Sequence, residues 1–342
     1  MLGDDRAPLV GGWRGPTCKS RHSSVRLFRS FAHAARLPPG PIPGGHALNS
    51  SVVDAHAAAH PHATTFSSAH PPRTATQAPG RFGAAALRAA AVLWFAVTAA
   101  GQLIFAGYIA GFYGRVTLAG RPELWNKVMP HGYVSGDTFF NLVLGVHLIF
   151  AFVITLGGLL QLVPAIRRRV PALHRWTGRA YLVAAAIMAA GGLLMIWFRG
   201  GAPGDFAGNV IISFNALLIL ACAAAAWRHA RSRRVDFHRR WALRLFVAVS
   251  GVWFFRVGLM FWIAVNRGPV GFDPETFTGP ALIVLGLAAY LLPQGMVGLY
   301  FLAQQGRNAR AKIAMAGGLT FLSLTMAVGV VAAAAIMWLP RM

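Results

Sequence analysis

The chain has 342 residues, of which 56% are hydrophobic and 12% charged, and its mean hydropathy is +0.53. This composition excludes a soluble globular domain and indicates a membrane protein with several spans. The formal net charge is +23, but the arginines are dispersed between apolar runs and no nucleic-acid-binding motif accompanies them. The charge therefore predicts contact with anionic lipid headgroups and argues against nucleic acid as a partner.

The N-terminal segment, residues 1–85, differs from the rest of the chain. It is rich in Ala, His, Pro, Ser, Gly and Arg and has no sustained apolar period, which predicts a disordered basic tail. Its run "CKSRHSSVRLFRSFAHAARL" is similar to an organellar presequence, whereas an over-extended gene start is the simpler explanation. We attribute its histidines to tail composition, because no rigid scaffold fixes their geometry: His56, His60, His62 and His70.

Residues 86–342 form the predicted membrane domain. Seven apolar stretches are long enough to cross a bilayer, which needs ~20 residues per helix. Lipid offers the backbone no hydrogen-bond partner, so each span is predicted to be helical and the fold all-α. The predicted spans are 88–112, 139–163, 180–198, 208–227, 241–265, 280–303 and 312–338.

The charges in the loops predict the orientation of this bundle. The loops after spans two and four carry arginine runs at 167–169, 233–234 and 239–240, whereas the alternate loops hold five of the nine acidic residues. Because basic loops remain in the cytoplasm, we expect a cytoplasmic N-terminus and an external C-terminus.

Polar side chains inside spans are costly and are functional candidates by default. At 1.5 Å rise per residue, His147 and Arg256 both lie roughly 12–14 Å below the outer surface, and three further polar residues fall at roughly 10–15 Å. We therefore predict one intramembrane polar layer, a candidate ligand site, contributed by five helices. Its members are His147, Arg256, Asn215, Gln102 and Tyr290.

Arg256 has no carboxylate partner within the predicted spans, because all nine acidic residues lie outside them. An arginine stays protonated, so its charge must be compensated by another group. Three alternatives stay open: a polar cage of Asn215, Tyr290 and backbone carbonyls, an outward reach to loop acids, or an anionic group on a ligand. For His147, the alternatives are a hydrogen bond to another helix and a ligand contact.

Two similar His-Arg runs precede spans, "LHRWTGRAY" at 173–181 and "FHRRWALRLF" at 237–246. The topological role of basic residues explains the arginines, but it does not require the histidines. We group these residues, with one glutamine from span two, as a predicted cytoplasmic-side cluster. The cluster consists of Gln161, His174, Arg175, Arg179, His238, Arg239 and Arg244.

The run "NLVLGVHLIFAFVITLGGLLQLVPAIRRRVPALHRWTGRAYL", with "FHRRWALRLFVAVSGVWFFRVGLMFW" and "GFDPETFTGP", resembles a bacterial family of membrane proteins called domain of unknown function 2306. The resemblance covers about residues 90–303. It implies a multi-pass protein of the bacterial cytoplasmic (inner) membrane and carries no activity with it. The matching positions include His147, Gln161, His174, Arg175, Gly178, Arg179, His238, Arg239, Arg244 and Arg256.

Three functional classes remain open. Neutral imidazoles ligate haem iron and arginines pair with propionates, so haem b is a candidate cofactor with His147, His174 and His238 as candidate ligands. A transporter of a small anionic or amphipathic ligand is a second class. An accessory role, in which polar groups bind a partner membrane protein or lipid, is the third.

Enzymatic chemistry has little support in the sequence. It contains no GxSxG, HExxH or P-loop motif, and the two cysteines, Cys18 and Cys222, form no CxxC pair. We therefore predict no catalytic residue and, haem aside, no metal site, and lean against an enzyme.

Overall fold

The computed structural model describes residues 78–129, 132–198 and 206–342. These residues form α-helices joined by short loops, without a β-strand, and one isolated antiparallel bridge links Asp273 and Thr278. The long helices are α1 (Ala78–Tyr108), α2 (Thr138–Leu162), α3 (Pro171–Phe198), α4 (Phe206–Arg231), α5 (Val235–Val249), α6 (Gly251–Asn266), α7 (Pro280–Gln305) and α8 (Ala309–Ala332). Shorter elements are the α-helices Arg115–Leu118 and Pro164–Arg169, the π-helices Ile109–Gly114 and Ala333–Trp338, and the 3-10 helices Pro122–Lys127 and Leu339–Arg341.

Within the described ranges, six helices are long and apolar enough to cross a membrane, and α5 with α6 makes a seventh when counted as one bent span. The predicted all-α polytopic bundle is therefore confirmed. The orientation of its termini stays a prediction, so we name the two ends of the bundle by their residues. The basic end carries the arginine-rich loops, and the opposite end carries the acidic loops.

The fifth span differs from the prediction of one continuous helix. It is bent by 51° between α5 and α6, at Ser250, whereas α7 runs without a break through Pro293. Gly251 explains part of this local geometry. A Cβ there would lie 2.6 Å from the Tyr290 ring and 3.1 Å from the Asn215 side-chain oxygen, so only glycine permits this approach.

The bent span lies inside the bundle. α1 packs on α2 and α8, α2 on α3, α3 on α4, and α4 on α5 and α7, while α7 also contacts α6, which packs on α8. Four consecutive residues of α5, 245–248, are buried. In lipid, helices associate through close packing. Gly158 of α2 accordingly lies so near α5 that a Cβ atom there would be 3.0 Å from the ring of Phe246.

Helix α1 begins at Ala78, before the predicted domain boundary at residue 85. Pro79 lies in its first turn, where proline is tolerated. An alanine run at 84–86 follows, and alanine is the strongest helix former, so the helix extends beyond the apolar run from which the span was predicted. The rest of the predicted tail, including His56, His60, His62 and His70, lies outside the described residues.

Candidate functional site

Three members of the predicted polar layer meet at the bend between α5 and α6. The Gln102 side-chain amide of α1 donates a hydrogen bond to the Ser250 hydroxyl at 2.8 Å. Asn215 of α4 and Tyr290 of α7 lie against Gly251, and Gln102, Asn215 and Tyr290 are each 3% exposed. The packing of α4, α7 and α1 around the bend brings these three residues together.

Of the other two members, His147 lies on α2 and Arg256 lies on α6, after the bend. Its guanidinium carbon lies 5.7 Å from the centroid of the Phe105 ring, a cation–π distance. The His147 ring packs toward the Gly191–Gly192 face of α3.

The sequence analysis missed Tyr108 and Tyr113. Tyr113 lies one residue beyond the predicted end of span one, and the span in fact continues through the π-helix to Leu118. The extra residue per turn of a π-helix rotates the side chains that follow it. A register based on a regular α-helix therefore does not predict the side-chain directions after Tyr108.

Arg256 makes no hydrogen bond and no ion pair with the described part of the chain. The ion pair there joins Arg121 and Glu123 in a loop, with 3.4 Å between nitrogen and oxygen. The predicted cage of Asn215 and Tyr290 thus does not form around the guanidinium. Several side-chain atoms of the predicted polar layer are buried without a hydrogen-bond partner: Gln102 Oε1, Asn215 Oδ1 and His147 Nδ1.

A large cleft occupies the basic end of the bundle and continues between the helices. Its volume is about 1250 Å³. Six of the seven residues of the predicted cytoplasmic-side cluster line it: Gln161, His174, Arg175, Arg179, His238 and Arg239. Further in, the walls are apolar and aromatic and include Trp94, Phe95, Phe246, Phe254, Met296 and Phe301.

The two cleft histidines differ in their contacts. His238 Nδ1 lies 3.0 Å from the backbone oxygen of Ala226; because a carbonyl only accepts, Nδ1 donates, and in the neutral ring Nε2 keeps its lone pair. His174 Nδ1 is buried without a partner. The two rings are close enough to interact electrostatically. One histidine is therefore held in a defined tautomer, and the other has an unused polar atom.

Gln161 and Arg244 have bracing contacts. The Gln161 amide donates to the Thr177 hydroxyl at 2.6 Å, joining α2 to α3. Arg244 is not among the residues lining the cleft; its guanidinium donates to the Gln294 backbone oxygen at 3.3 Å, and the Gln294 amide donates back to the Arg244 backbone oxygen at 3.0 Å. Arg244 of the cytoplasmic-side cluster therefore joins α5 to α7.

Fold and composition define a polytopic helical membrane protein with a basic cleft and a separate intramembrane polar cluster. A family model described as predicted membrane protein (DUF2306) matches residues 144–292. The predicted resemblance to this family is confirmed over those residues. They include every residue of the cytoplasmic-side cluster and every residue of the polar layer except Gln102. No curated protein and no solved structure matches the chain.

Proposed function

We propose that this protein binds an amphipathic anionic molecule in the cleft. Its apolar body lies between the helices, and its anionic group lies on the arginines of the basic end. One observation carries the proposal: a single cleft of about 1250 Å³ joins an arginine-rich mouth to aromatic and aliphatic walls. Pockets for small molecules usually measure about 300–1,000 Å³, so the cleft suits an elongated ligand.

The charge of the mouth supports an anionic head group. The side chains lining it include Arg167, Arg175, Arg179, Arg231, Arg233 and Arg239, against one carboxylate, that of Asp236. Guanidinium groups bind phosphate and carboxylate oxygens through paired hydrogen bonds. Two of these arginines already lie over aromatic rings, Arg179 over Trp176 at 5.0 Å and Arg239 over Phe301 at 5.8 Å, which orients their planar groups.

Haem b is a second candidate occupant with the same general chemistry, because it combines an apolar ring with anionic propionates. The specific observation that favours it is the hydrogen bond from His238 to the Ala226 carbonyl. Metal-ligating histidines almost always donate their second ring nitrogen in this way. His174, with its unpartnered Nδ1, is the second candidate ligand from the same cleft.

The test for anion binding compares two double variants of equal charge change in detergent-purified full-length protein. Arg175→Gln with Arg239→Gln alters the cleft, whereas Arg168→Gln with Arg169→Gln alters exposed arginines of the same end that are not among the residues lining it. We expect lysophosphatidylglycerol to raise the melting temperature of wild type and of the control variant, and to have a smaller effect on the cleft variant. Equal effects on all three proteins contradict the proposal.

A zwitterionic probe and a spectrum separate the two occupants. Lysophosphatidylcholine has no net charge and is expected to give a smaller shift than the anionic lipid. A reduced-minus-oxidised absorption spectrum of protein from haem-replete cells detects haem, and a Soret band that is lost in His238→Ala identifies that residue as a ligand. A featureless spectrum excludes haem as the occupant of the cleft.

A further inference from the structure

The cleft continues along most of the length of α7. The residues of α7 that line it recur at i, i+3, i+4 and i+7, from Leu285 to Phe301, and the Phe301 ring lies under the Arg239 guanidinium. Residues at these spacings share one face of a helix, and at 1.5 Å rise per residue this face is roughly 24 Å long. The cleft is therefore nearly as long as the apolar core of a bilayer, which is about 30 Å thick.

The cleft also follows both halves of the bent span. On the basic side of Ser250 its walls include Phe246 of α5, and beyond the bend they include Gly258 and Trp262 of α6. Trp262 lies about one turn before the end of α6. The cavity that has arginines at its mouth therefore extends well past the bend.

The deep part of the cleft is uncharged. Among the residues that line it, those of α6, α7 and α8 are all uncharged and nearly all aliphatic or aromatic, and the hydroxyl groups on these walls belong to Tyr300 and Thr325. A polar group placed here without a hydrogen-bond partner is unfavourable. A ligand that fills the deep part is therefore apolar along its length, and a long hydrocarbon chain contacts the walls throughout, whereas a short one leaves the far end empty.

Gly258 keeps the far end of the cleft open. It is half-buried, and a Cβ atom there would meet Leu285 Cδ2 at 3.8 Å, an ordinary contact. The backbone therefore tolerates a side chain at this position, and a larger side chain occupies space in the cleft. Gly295 of α7 is the matched position outside the cleft: it is exposed, it is not among the lining residues, and a Cβ there meets no atom within 4 Å.

We propose that the occupant of the cleft is an anionic lipid of the bilayer with a long, extended hydrocarbon chain. Its head group lies on the arginines of the mouth, and the end of its hydrocarbon chain lies beyond the bend, near Gly258. This inference rests on the proposed function of the cleft and names the class of ligand that the cleft accepts.

The test photolabels detergent-purified full-length protein with lysophosphatidylglycerol that carries a diazirine at the end of its acyl chain, and mass spectrometry locates the adducts. We expect a stearoyl probe to label Phe261 and Leu285, and a decanoyl probe, which is too short to pass the bend, to label Met296. Identical adducts from both probes overturn the proposal. So do stearoyl adducts confined to Leu291 and Leu299, which are exposed on α7 and are not among the lining residues.

Two glycine variants test the far end of the cleft directly. In Gly258→Leu we expect stearoyl labelling of Phe261 and Leu285 to be lost, because the new side chain occupies their part of the cleft. Gly295→Leu adds the same side chain outside the cleft and should retain the wild-type adducts; equal labelling in both variants overturns the proposal. If Gly258→Leu is not recovered as folded protein, the two acyl lengths on wild type still decide the question.

The arginine variants separate this inference from the proposed function. Arg175→Gln with Arg239→Gln should reduce labelling within the cleft by both probes, relative to Arg168→Gln with Arg169→Gln. Stearoyl adducts that depend on the cleft arginines but stop before the bend refute the extended hydrocarbon chain and leave anion binding in the cleft intact. Cleft adducts that are unaffected by the loss of these arginines refute the anionic head-group site, and this inference with it.

Discussion

The side chain of Gln102 donates a hydrogen bond to the Ser250 hydroxyl at 2.8 Å, and this contact joins α1 to the point where α5 gives way to α6. Both side chains are buried, Gln102 being 3% and Ser250 5% exposed. This hydrogen bond ties the bend to a helix that is distant in sequence. It is one of the few polar contacts in the middle of an apolar bundle.

Replacing Gln102 with leucine is expected to destabilise the protein. The substitution leaves the buried Ser250 hydroxyl without its donor, at a cost of about 1–3 kcal/mol. The measurement is the midpoint of thermal unfolding in mild detergent. Gln305→Leu, at an exposed position at the end of α7, is the matched control and should retain the wild-type midpoint; an equal decrease in both variants shows that the contact with Ser250 is not responsible.

Gly251→Ala tests the close packing at the same bend. The new methyl group would lie 2.6 Å from the Tyr290 ring, so the ring or the helix must move, and overpacking of this kind costs about 1–3 kcal/mol. Gly295→Ala on α7 meets no atom within 4 Å and should be neutral or stabilising, because alanine is the better helix former. Reduced thermal stability in Gly251→Ala alone is the expected result.

The sequence predicted the all-α fold and its apolar spans, because long apolar runs in lipid must form helices. It did not predict where the fifth span bends. The obvious helix breaker, Pro293, lies in a continuous helix, whereas the bend occurs at Ser250 without a proline. This position depends on contacts from Gln102, Asn215 and Tyr290, which belong to other helices and leave no local signal.

The candidate sites, too, were predicted only in part from the sequence. The His-Arg runs were recognisable in the sequence because their residues lie close together along the chain, and most of them line one cleft. The rotation of each helix about its axis cannot be read from the runs, so the sequence did not predict that Arg244, a member of the same cluster, braces α5 against α7.

The loop before α7 is expected to lose order in acid. The backbone N–H of Glu275 donates to the Asp273 carboxylate at 2.8 Å, and this bond, with those from Thr276, holds the pKa of Asp273 below its usual value. A carboxyl group whose folded pKa is lowered contributes stability above its unfolded pKa and loses that contribution as the pH falls through the folded pKa. The exchange protection of the Glu275 and Thr276 amides, measured relative to the intrinsic rate at each pH, should therefore fall at low pH. In Asp273→Asn, which keeps an uncharged acceptor, this pH-dependent loss of protection should be absent; if it persists, another group controls the loop.

The reciprocal contact between Arg244 and Gln294 predicts a structural effect without an effect on binding. Gln294→Leu removes the amide that donates to the Arg244 backbone oxygen. We expect a loss of about 0.5–1.5 kcal/mol, the net contribution of one hydrogen bond, because the carbonyl keeps its intrahelical partner. Since Arg244 is not among the residues lining the cleft, Gln294→Leu should melt at a lower temperature and still show the wild-type shift with lysophosphatidylglycerol. A reduced lipid-induced shift in this variant, at unchanged melting temperature, would instead assign Arg244 and Gln294 to the binding site.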